Sequence, residues 1–111
     1  MFAPSEFLEL AKALHTQATV ESYARSSVSR AYYSAFLTAK QKGRVVATKK
    51  DDNIHALVFD YCSSYLPLMA NDLKDLRLRR NKADYNLDIV FSAKDSDWAI
   101  RTAEGIIYDL R

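Results

Sequence analysis

The sequence is poor in the residues that make turns and crosslinks, since its 111 residues include two glycines, two prolines and one cysteine, Cys62. A β-sandwich or barrel needs many tight turns, so the scarcity of glycine and proline argues against both classes. One cysteine cannot form an internal disulfide or supply the cysteine pairs of a zinc ribbon or a redox site. The cysteine content therefore favours a reducing, intracellular compartment.

Long apolar runs and a strong charge of one sign are also missing. No segment approaches the roughly 18 consecutive apolar residues of a membrane span. Glu6, Glu9 and Lys12 interrupt the N-terminal profile that a signal peptide needs. We therefore expect a cytoplasmic protein with no membrane partner. Sixteen Lys and Arg against fourteen Asp and Glu give a formal charge of +2, which by itself predicts no class of partner.

Apolar residues recur at helical spacing along most of the chain. A first helix is predicted after the start signals Pro4 and Ser5. A second runs from near Thr19 to Gly43, where glycine is a natural C-terminal stop. Three further helices are predicted: residues 54–65 after the cap candidates Asp51, Asp52 and Asn53, residues 68–84 after Pro67, and a last helix capped by Ser92 or Asp95.

The second predicted helix carries a stripe of small residues, which predicts a close approach of neighbouring helices. The stripe consists of Val20, Ala24, Val28, Ala31, Ala35 and Ala39. Five amphipathic helices with short connections predict an all-α fold, an up-and-down helical bundle of four to five helices. No repeat or low-complexity segment divides the chain, so residues 1–111 are predicted to form a single domain.

Arg80 interrupts the apolar stripe of the fourth predicted helix. Counting by fours and threes from Met69 places it in line with Leu73 and Leu76, and a guanidinium there needs a partner because an unpaired buried charge is unfavourable. In one interpretation Arg80 pairs with Asp84, four residues on, or extends to the edge of the bundle. In the other it lines a pocket and binds an anion, since its planar fork of donors suits phosphate oxygens.

Two basic runs accompany Arg80. The first places five cations within nine residues, diluted by nearby aspartates, and consists of Lys74, Arg77, Arg79, Arg80 and Lys82. The second lies beside Gly43 and consists of Lys40, Lys42, Arg44, Lys49 and Lys50. Together they can form a basic surface for nucleic acid. Either run alone is equally typical of a solvated face of mixed charge.

The middle of the second helix has a donor-rich face opposite the alanine stripe. This face contains Arg25, Ser26, Ser29, Arg30 and Tyr33. In one interpretation it is an exposed face on which Tyr33 serves as a packing residue. In the other it meets another helix or a second protomer, and the arginines are paired across that contact.

Few other residues indicate chemistry. His15 and His55 have no metal-ligand spacing to a cysteine or to a second histidine, so no metal site is predicted, and no glycine-rich phosphate loop points to a cofactor. His55 lies near the start of the third predicted helix, where a capping or surface histidine is more usual than a catalytic one. Cys62 follows Tyr61 on an amphipathic helix and is predicted to be an inert, partly buried thiol.

Two segments together resemble the HEPN family, small α-helical domains found in prokaryotic toxin–antitoxin, phage-defence and CRISPR systems. The first is Ser-Arg-Ala-Tyr-Tyr-Ser-Ala-Phe at residues 29–36, and the second is Arg-Asn-Lys-Ala-Asp-Tyr at residues 80–85. The resemblance covers essentially the whole chain, because HEPN domains are bundles of four to five helices of similar length. It implies a HEPN-like fold and favours the anion-binding interpretation of Arg80.

Active HEPN proteins are metal-independent endoribonucleases, so the resemblance implies a site for RNA. Their motif is an arginine, often followed directly by a polar residue, with a histidine after four to six intervening residues. Arg80 and Asn81 match the first part of that motif. Because two copies of the motif build one cleft in such proteins, the resemblance also implies a homodimer. Arg80 would hold the scissile phosphate and stabilise charge that develops in the transition state.

The chain departs from the motif at the histidine, where Tyr85 stands, and no histidine follows His55. A phenol, with an unperturbed pKa of about 10, is a poor general base at neutral pH, although it can donate a hydrogen bond. The chain is therefore expected either to bind RNA or a nucleotide without cleavage or to use another group for proton transfer. His55 is the available substitute. Whether the protein is an enzyme stays open.

The candidate catalytic residues are Arg80, Asn81 and Tyr85, and the candidate residues for binding RNA or a nucleotide are Arg80, Lys82, Arg77, Arg30 and Tyr33. An alternative function also follows from the resemblance. Some HEPN proteins are encoded with a minimal nucleotidyltransferase that neutralises them, in some cases by adenylylating a tyrosine near the motif, which would be Tyr85 here. In a third interpretation the chain is a structural dimeric module in which Arg80 only pairs with Asp84.

Overall fold

The computed structural model describes the whole chain, Met1–Arg111, as five α-helices without a strand. They are α1 (Ser5–His15), α2 (Glu21–Gly43), α3 (Ile54–Tyr65), α4 (Pro67–Tyr85) and α5 (Ala93–Asp109). The prediction of an all-α chain is confirmed. α2 begins slightly later than the expected Thr19, because Val20 has an extended backbone and precedes the first helical turn. None of the five helices combines the length and the apolar character that crossing a membrane requires.

Side chains at the predicted positions cap two of the helices. Asn53 Oδ1 accepts hydrogen bonds from the backbone N–H groups of His55 and Ala56, at 3.0 and 3.3 Å, at the start of α3. At the start of α5, Ser92 and Asp95 form a capping box, in which the Asp95 carboxylate accepts from the Ser92 N–H at 2.9 Å. Each cap satisfies donors that have no partner within the helix, so it fixes where the helix begins.

α2 is the central helix, since it packs against each of the other four. The alanines of its stripe are buried, and only Val20, which precedes the helix, is exposed. Small side chains on this stripe allow close approach by the surrounding helices, and all five contribute to one hydrophobic core. This arrangement brings the middle of α2 against the second half of α4, where residues 29–36 and residues 80–85 meet.

The end of α2 depends on glycine for a different reason from the one predicted. Gly43 is the last helical residue, but the left-handed conformation that usually favours glycine belongs to Arg44, at φ 51°. A Cβ atom on Gly43 would lie 2.8 Å from the ring of Tyr61 in α3. Glycine is therefore needed at position 43 because the Tyr61 ring packs directly on the backbone there.

Candidate functional site

Arg80 lies on α4 with its side chain only 14% exposed, and three side chains hold its guanidinium. Nη2 donates to the hydroxyl of Tyr33 at 2.6 Å, and Nη1 donates to the amide oxygen of Asn81 at 2.9 Å. The third partner is Asp84, whose Oδ2 lies 2.9 Å from Nε. The guanidinium is thus fixed between α2 and α4 rather than extended into solvent.

The contact between Arg80 and Asp84 is an ion pair of incomplete geometry. Nε lies close to the carboxylate, but its N–H does not point at an acceptor. Nε is therefore a buried donor without a hydrogen bond. Asp84 also accepts a hydrogen bond from the hydroxyl of Ser29 on α2, at 3.3 Å. A guanidinium has five N–H donors, so donors of Arg80 remain for a further ligand. Arg80 therefore makes the ion pair of one interpretation and keeps spare N–H donors, which the other interpretation requires.

A groove of about 440 Å³ opens beside Arg80, between α1, α2 and α4. Arg30 lines it, with its guanidinium carbon 5.1 Å from the ring centre of Phe7 and 5.6 Å from that of Tyr33. The guanidinium carbon of Arg80 lies 4.9 Å from the same Tyr33 ring. Two cations thus share one aromatic ring, which stabilises them by cation–π interaction and keeps both near the groove. We call this surface the Arg80 groove.

Arg25 does not join the Arg80 groove, although it shares a helix with Arg30. Its Nη1 donates to the carbonyl oxygens of Ala83 and Asn86, both at 3.0 Å, and its Nη2 donates to the carbonyl oxygen of Ile89. The donor-rich face of α2 is therefore not simply exposed, since Arg25 pairs with the C-terminal end of α4 and the following segment. Arg25 acts as a structural cap, because the last carbonyls of a helix lack partners within it.

Glu21 completes this structural contact. Its Oε2 accepts from Arg25 Nε at 2.8 Å and from the backbone N–H of Phe91 at 3.1 Å. The hydrogen bond from Arg25, and to a smaller extent that from Phe91, lowers the pKa of the Glu21 carboxyl below its ordinary value. The Arg25 guanidinium also lies 5.0 Å from the centre of the Phe91 ring. The segment between α4 and α5 is thus tied to α2.

His55 lies at a second concavity, formed by α2, α3 and α4. Its Nδ1 is 2.6 Å from the hydroxyl of Tyr32, and its ring stacks on Phe36 with centres 4.5 Å apart. Burial lowers the pKa of the imidazole, and the charges of Arg77 and Arg80 lower it further. The pKa of the Tyr32 hydroxyl is raised, chiefly by burial. His55 is therefore a half-buried imidazole beside the arginines of α4, rather than a capping or freely exposed residue.

The remaining predicted site residues lie at the edge of this region. Asn81 contacts Arg80 directly, whereas the side chain of Lys82 is exposed, on the outer side of α4. Tyr85 is 75% exposed, and its ring centre lies 5.9 Å from the Arg80 guanidinium carbon. Of the other cations of the first basic run, Arg79 pairs with Asp95 at 3.7 Å. The run therefore divides between two faces of the helix.

Neither Cys62 nor His15 contributes to the site. Cys62 is fully buried, whereas partial burial was predicted. Burial raises the pKa of its thiol to about 11, so the group stays a protonated, unreactive thiol at neutral pH. The His15 ring bonds to the buried hydroxyl of Ser96, which joins α1 to α5. No group of three or more His, Cys, Asp or Glu side chains is arranged to hold a metal ion.

Sequence reasoning named Arg80, Asn81, Tyr33 and Arg30, which the structure brings together, but it assigned no role to Tyr32. A tyrosine next to Tyr33 on a helix reads as a packing residue, and only the fold brings its hydroxyl to His55. Comparison of the chain with protein-family models, with curated proteins and with solved structures finds no match.

Proposed function

We propose that this chain is a HEPN-like helical bundle that binds RNA or a nucleotide, with Arg80 as the residue that contacts phosphate. The observation that carries the proposal is the Arg80 guanidinium, which is held by Tyr33 and Asn81 and yet lines an open groove. A donor group that is already ordered loses little conformational entropy when it binds an anion. Its planar fork also matches the oxygens of a phosphate.

The charge balance of the Arg80 groove supports an anionic ligand. Arg30 and Arg80 line the groove, and Arg77 lies one turn earlier on α4. Asp84 is the one carboxylate among the lining side chains. The groove lining thus carries two arginines and one carboxylate, and this excess positive charge, with Arg77 nearby, attracts a polyanion more weakly as salt is added.

For a ribonuclease activity of a toxin–antitoxin or defence system, the site needs charge stabilisation and proton transfer. Arg80 would stabilise the charge on the phosphate oxygens as the RNA 2′-hydroxyl attacks phosphorus and the bond to the 5′-oxygen breaks. His55 would accept the proton of the 2′-hydroxyl, since an imidazole with a lowered pKa is neutral at pH 7; because His55 lines a separate concavity from Arg80, the RNA would have to span both. The departing 5′-oxygen would take its proton from water, while Tyr85, exposed beside Arg80, would donate a hydrogen bond to that oxygen.

A homodimer that includes α4 in its interface belongs to the same proposal. Several large apolar side chains are exposed on α4, on α5 and in the segment between them, and these are Leu78, Tyr85, Leu87, Val90 and Trp98. Leu78 and Trp98 line one shallow depression, and Tyr85 and Leu87 line another; exposed apolar side chains that cluster in this way are typical of association surfaces. Sedimentation velocity at micromolar concentration should show a dimer, and a monomer would argue against this part of the proposal.

The decisive experiment incubates mixed-sequence RNA with the protein in EDTA and measures cleavage and binding in parallel. Arg80→Ala should abolish both while the far-ultraviolet circular dichroism stays helical. Arg101→Ala is the matched control, because Arg101 also pairs with an aspartate four residues away but is 77% exposed. If Arg80→Ala binds RNA as the parent does, the proposal is wrong. Equal cleavage by both proteins would indicate a contaminating nuclease.

A second candidate function is that of a non-catalytic partner for a minimal nucleotidyltransferase. The observation that favours it is the exposure of Tyr85, whose hydroxyl is open to an enzyme that adenylylates tyrosine. A gene for a small nucleotidyltransferase next to the gene for this chain would support this function. Incubation with that enzyme and ATP should then add an adenylyl group to the parent, seen by intact-mass spectrometry, and not to Tyr85→Phe.

A further inference from the structure

A ring-sized pocket lies beside the Arg80 groove, at the junction of α2, α3 and α4. Its volume is about 180 Å³, and it is lined by Tyr32, His55, Ala56, Phe59, Leu73, Lys74 and Arg77. Pockets for drug-sized ligands have volumes of roughly 300–1,000 Å³. This pocket is therefore large enough for one flat ring but too small for a whole nucleotide. We call it the His55 pocket.

The walls of the His55 pocket suit an aromatic ring. Phe59 of α3 is a partly buried apolar wall, and Leu73 of α4 lies beneath as part of the core. Tyr32 is only 1% exposed and supports the imidazole through its hydroxyl, so the partly exposed rings of His55 and Phe59 are the faces on which a base would stack. Aromatic walls of this kind stack on a nucleobase regardless of its sequence, because every base has a flat π face.

Two cations at the pocket have no acidic partner. Neither Lys74 nor Arg77 takes part in any ion pair of the protein. Nε of Arg77 is buried and has no hydrogen-bond acceptor. Because the protein encloses Nε, a phosphate or a base oxygen in the pocket would be bound by the terminal Nη groups of Arg77, whose residue lines the pocket.

The position of the pocket relative to Arg80 links the two features. Arg77 and Arg80 are three residues apart on α4, so their side chains emerge from the same side of the helix. Arg77 lines the pocket itself, and the Tyr32 ring, which also lines it, has its centre 6.0 Å from the Arg80 guanidinium carbon. A ring in the pocket would therefore place its own backbone phosphate beside Arg77 and a neighbouring phosphate at Arg80.

We propose that the His55 pocket receives one unpaired base of a single-stranded RNA, with Arg77 contacting the adjacent backbone; this inference rests on the proposed function of Arg80. The base stacks on the aromatic walls, and Lys74 donates to an oxygen on its edge. A base inside a duplex is stacked and paired, so it cannot enter the pocket. The pocket thus selects flexible RNA, whereas Arg80 alone contacts any phosphate backbone.

The experiment measures the affinity of fluorescently labelled RNA in EDTA, using an unstructured strand and the same strand with abasic nucleotides. Ala56→Phe fills the pocket from an exposed position on α3, and Ala13→Phe, at an exposed position on α1, is the matched control. Circular dichroism checks that both variants are helical. The parent should bind the normal strand about tenfold more tightly than the abasic strand, as expected for one stacked base.

The variants separate this inference from the proposed function. Ala56→Phe should remove the preference for the normal strand and leave the affinity for the abasic strand unchanged, while Arg80→Ala should weaken the binding of both strands. If Ala56→Phe keeps the preference while Arg80→Ala loses affinity, the pocket inference is wrong and the proposed function stands. If the parent binds neither strand, the proposed function fails and the inference fails with it.

Discussion

The hydroxyl of Tyr33 accepts a hydrogen bond from Arg80 at 2.6 Å, which joins the middle of α2 to the second half of α4 at the Arg80 groove. The same ring lies under the Arg80 guanidinium, with a distance of 4.9 Å from the ring centre to the central carbon. Tyr33 therefore supports Arg80 in two separable ways: the ring keeps the guanidinium in place, and the hydroxyl fixes its rotation.

Under the proposed function, Tyr33→Phe should weaken RNA binding without loss of folding. The variant keeps the ring and removes the acceptor of one charged hydrogen bond, so we expect an affinity loss of about threefold to tenfold. Tyr33→Ala should cause a larger loss, because the cation–π contacts to Arg30 and Arg80 disappear as well. Fluorescence anisotropy with single-stranded RNA measures both. Equal affinity of Tyr33→Phe and the parent would show that the hydroxyl has no part in orienting Arg80.

Arg25→Ala should have the opposite profile, a loss of stability with unchanged RNA affinity. The guanidinium caps carbonyl oxygens at the end of α4 and beyond it, and its side chain is only 16% exposed. Loss of these charged hydrogen bonds should lower the free energy of unfolding by about 2–3 kcal/mol in a urea titration. Arg101→Ala, which removes an exposed ion pair, should change it by less than about 0.5 kcal/mol. Weaker RNA binding by folded Arg25→Ala would contradict the structural role.

The sequence predicts helices and caps well in this chain because those signals are local. Asn53 and Ser92 precede their helices by the spacing that a cap requires, and the structure places both as caps. The two partners of Arg80 show the difference between local and non-local signals. Asp84 follows Arg80 by one helical turn and can be predicted from the sequence, whereas Tyr33 meets Arg80 only because α2 packs on α4. Residues from three helices line the His55 pocket, so no local sequence pattern predicts it.

Gly43 and Arg44 should respond in opposite directions to substitution. Gly43→Ala would bring a Cβ to 2.8 Å from the Tyr61 ring, so we expect a loss of about 1–3 kcal/mol in the free energy of unfolding from overpacking. Arg44→Gly relieves a left-handed conformation at φ 51° and should stabilise the protein by about 0.5–1 kcal/mol. Urea titrations of both variants test this. Because the Tyr61 ring packs against the core, the steric cause is tested in the Tyr61→Ala background, where Gly43→Ala should no longer lower the free energy of unfolding. The same loss in both backgrounds would contradict it.

His55 should make stability fall as the pH is lowered below the ordinary histidine pKa of about 6.5. Its pKa is lowered in the folded state by burial and then by Arg77 and Arg80, so the unfolded chain binds the proton more readily. Between the folded and the unfolded pKa, the unfolded state therefore holds more protons, and stability increases with pH until about 6.5. His55→Gln removes this titration while retaining a polar side chain. The difference in urea midpoint between pH 7.5 and pH 5.5 should be smaller for His55→Gln than for the parent, whereas an identical difference would mean that the folded environment does not disfavour the imidazolium.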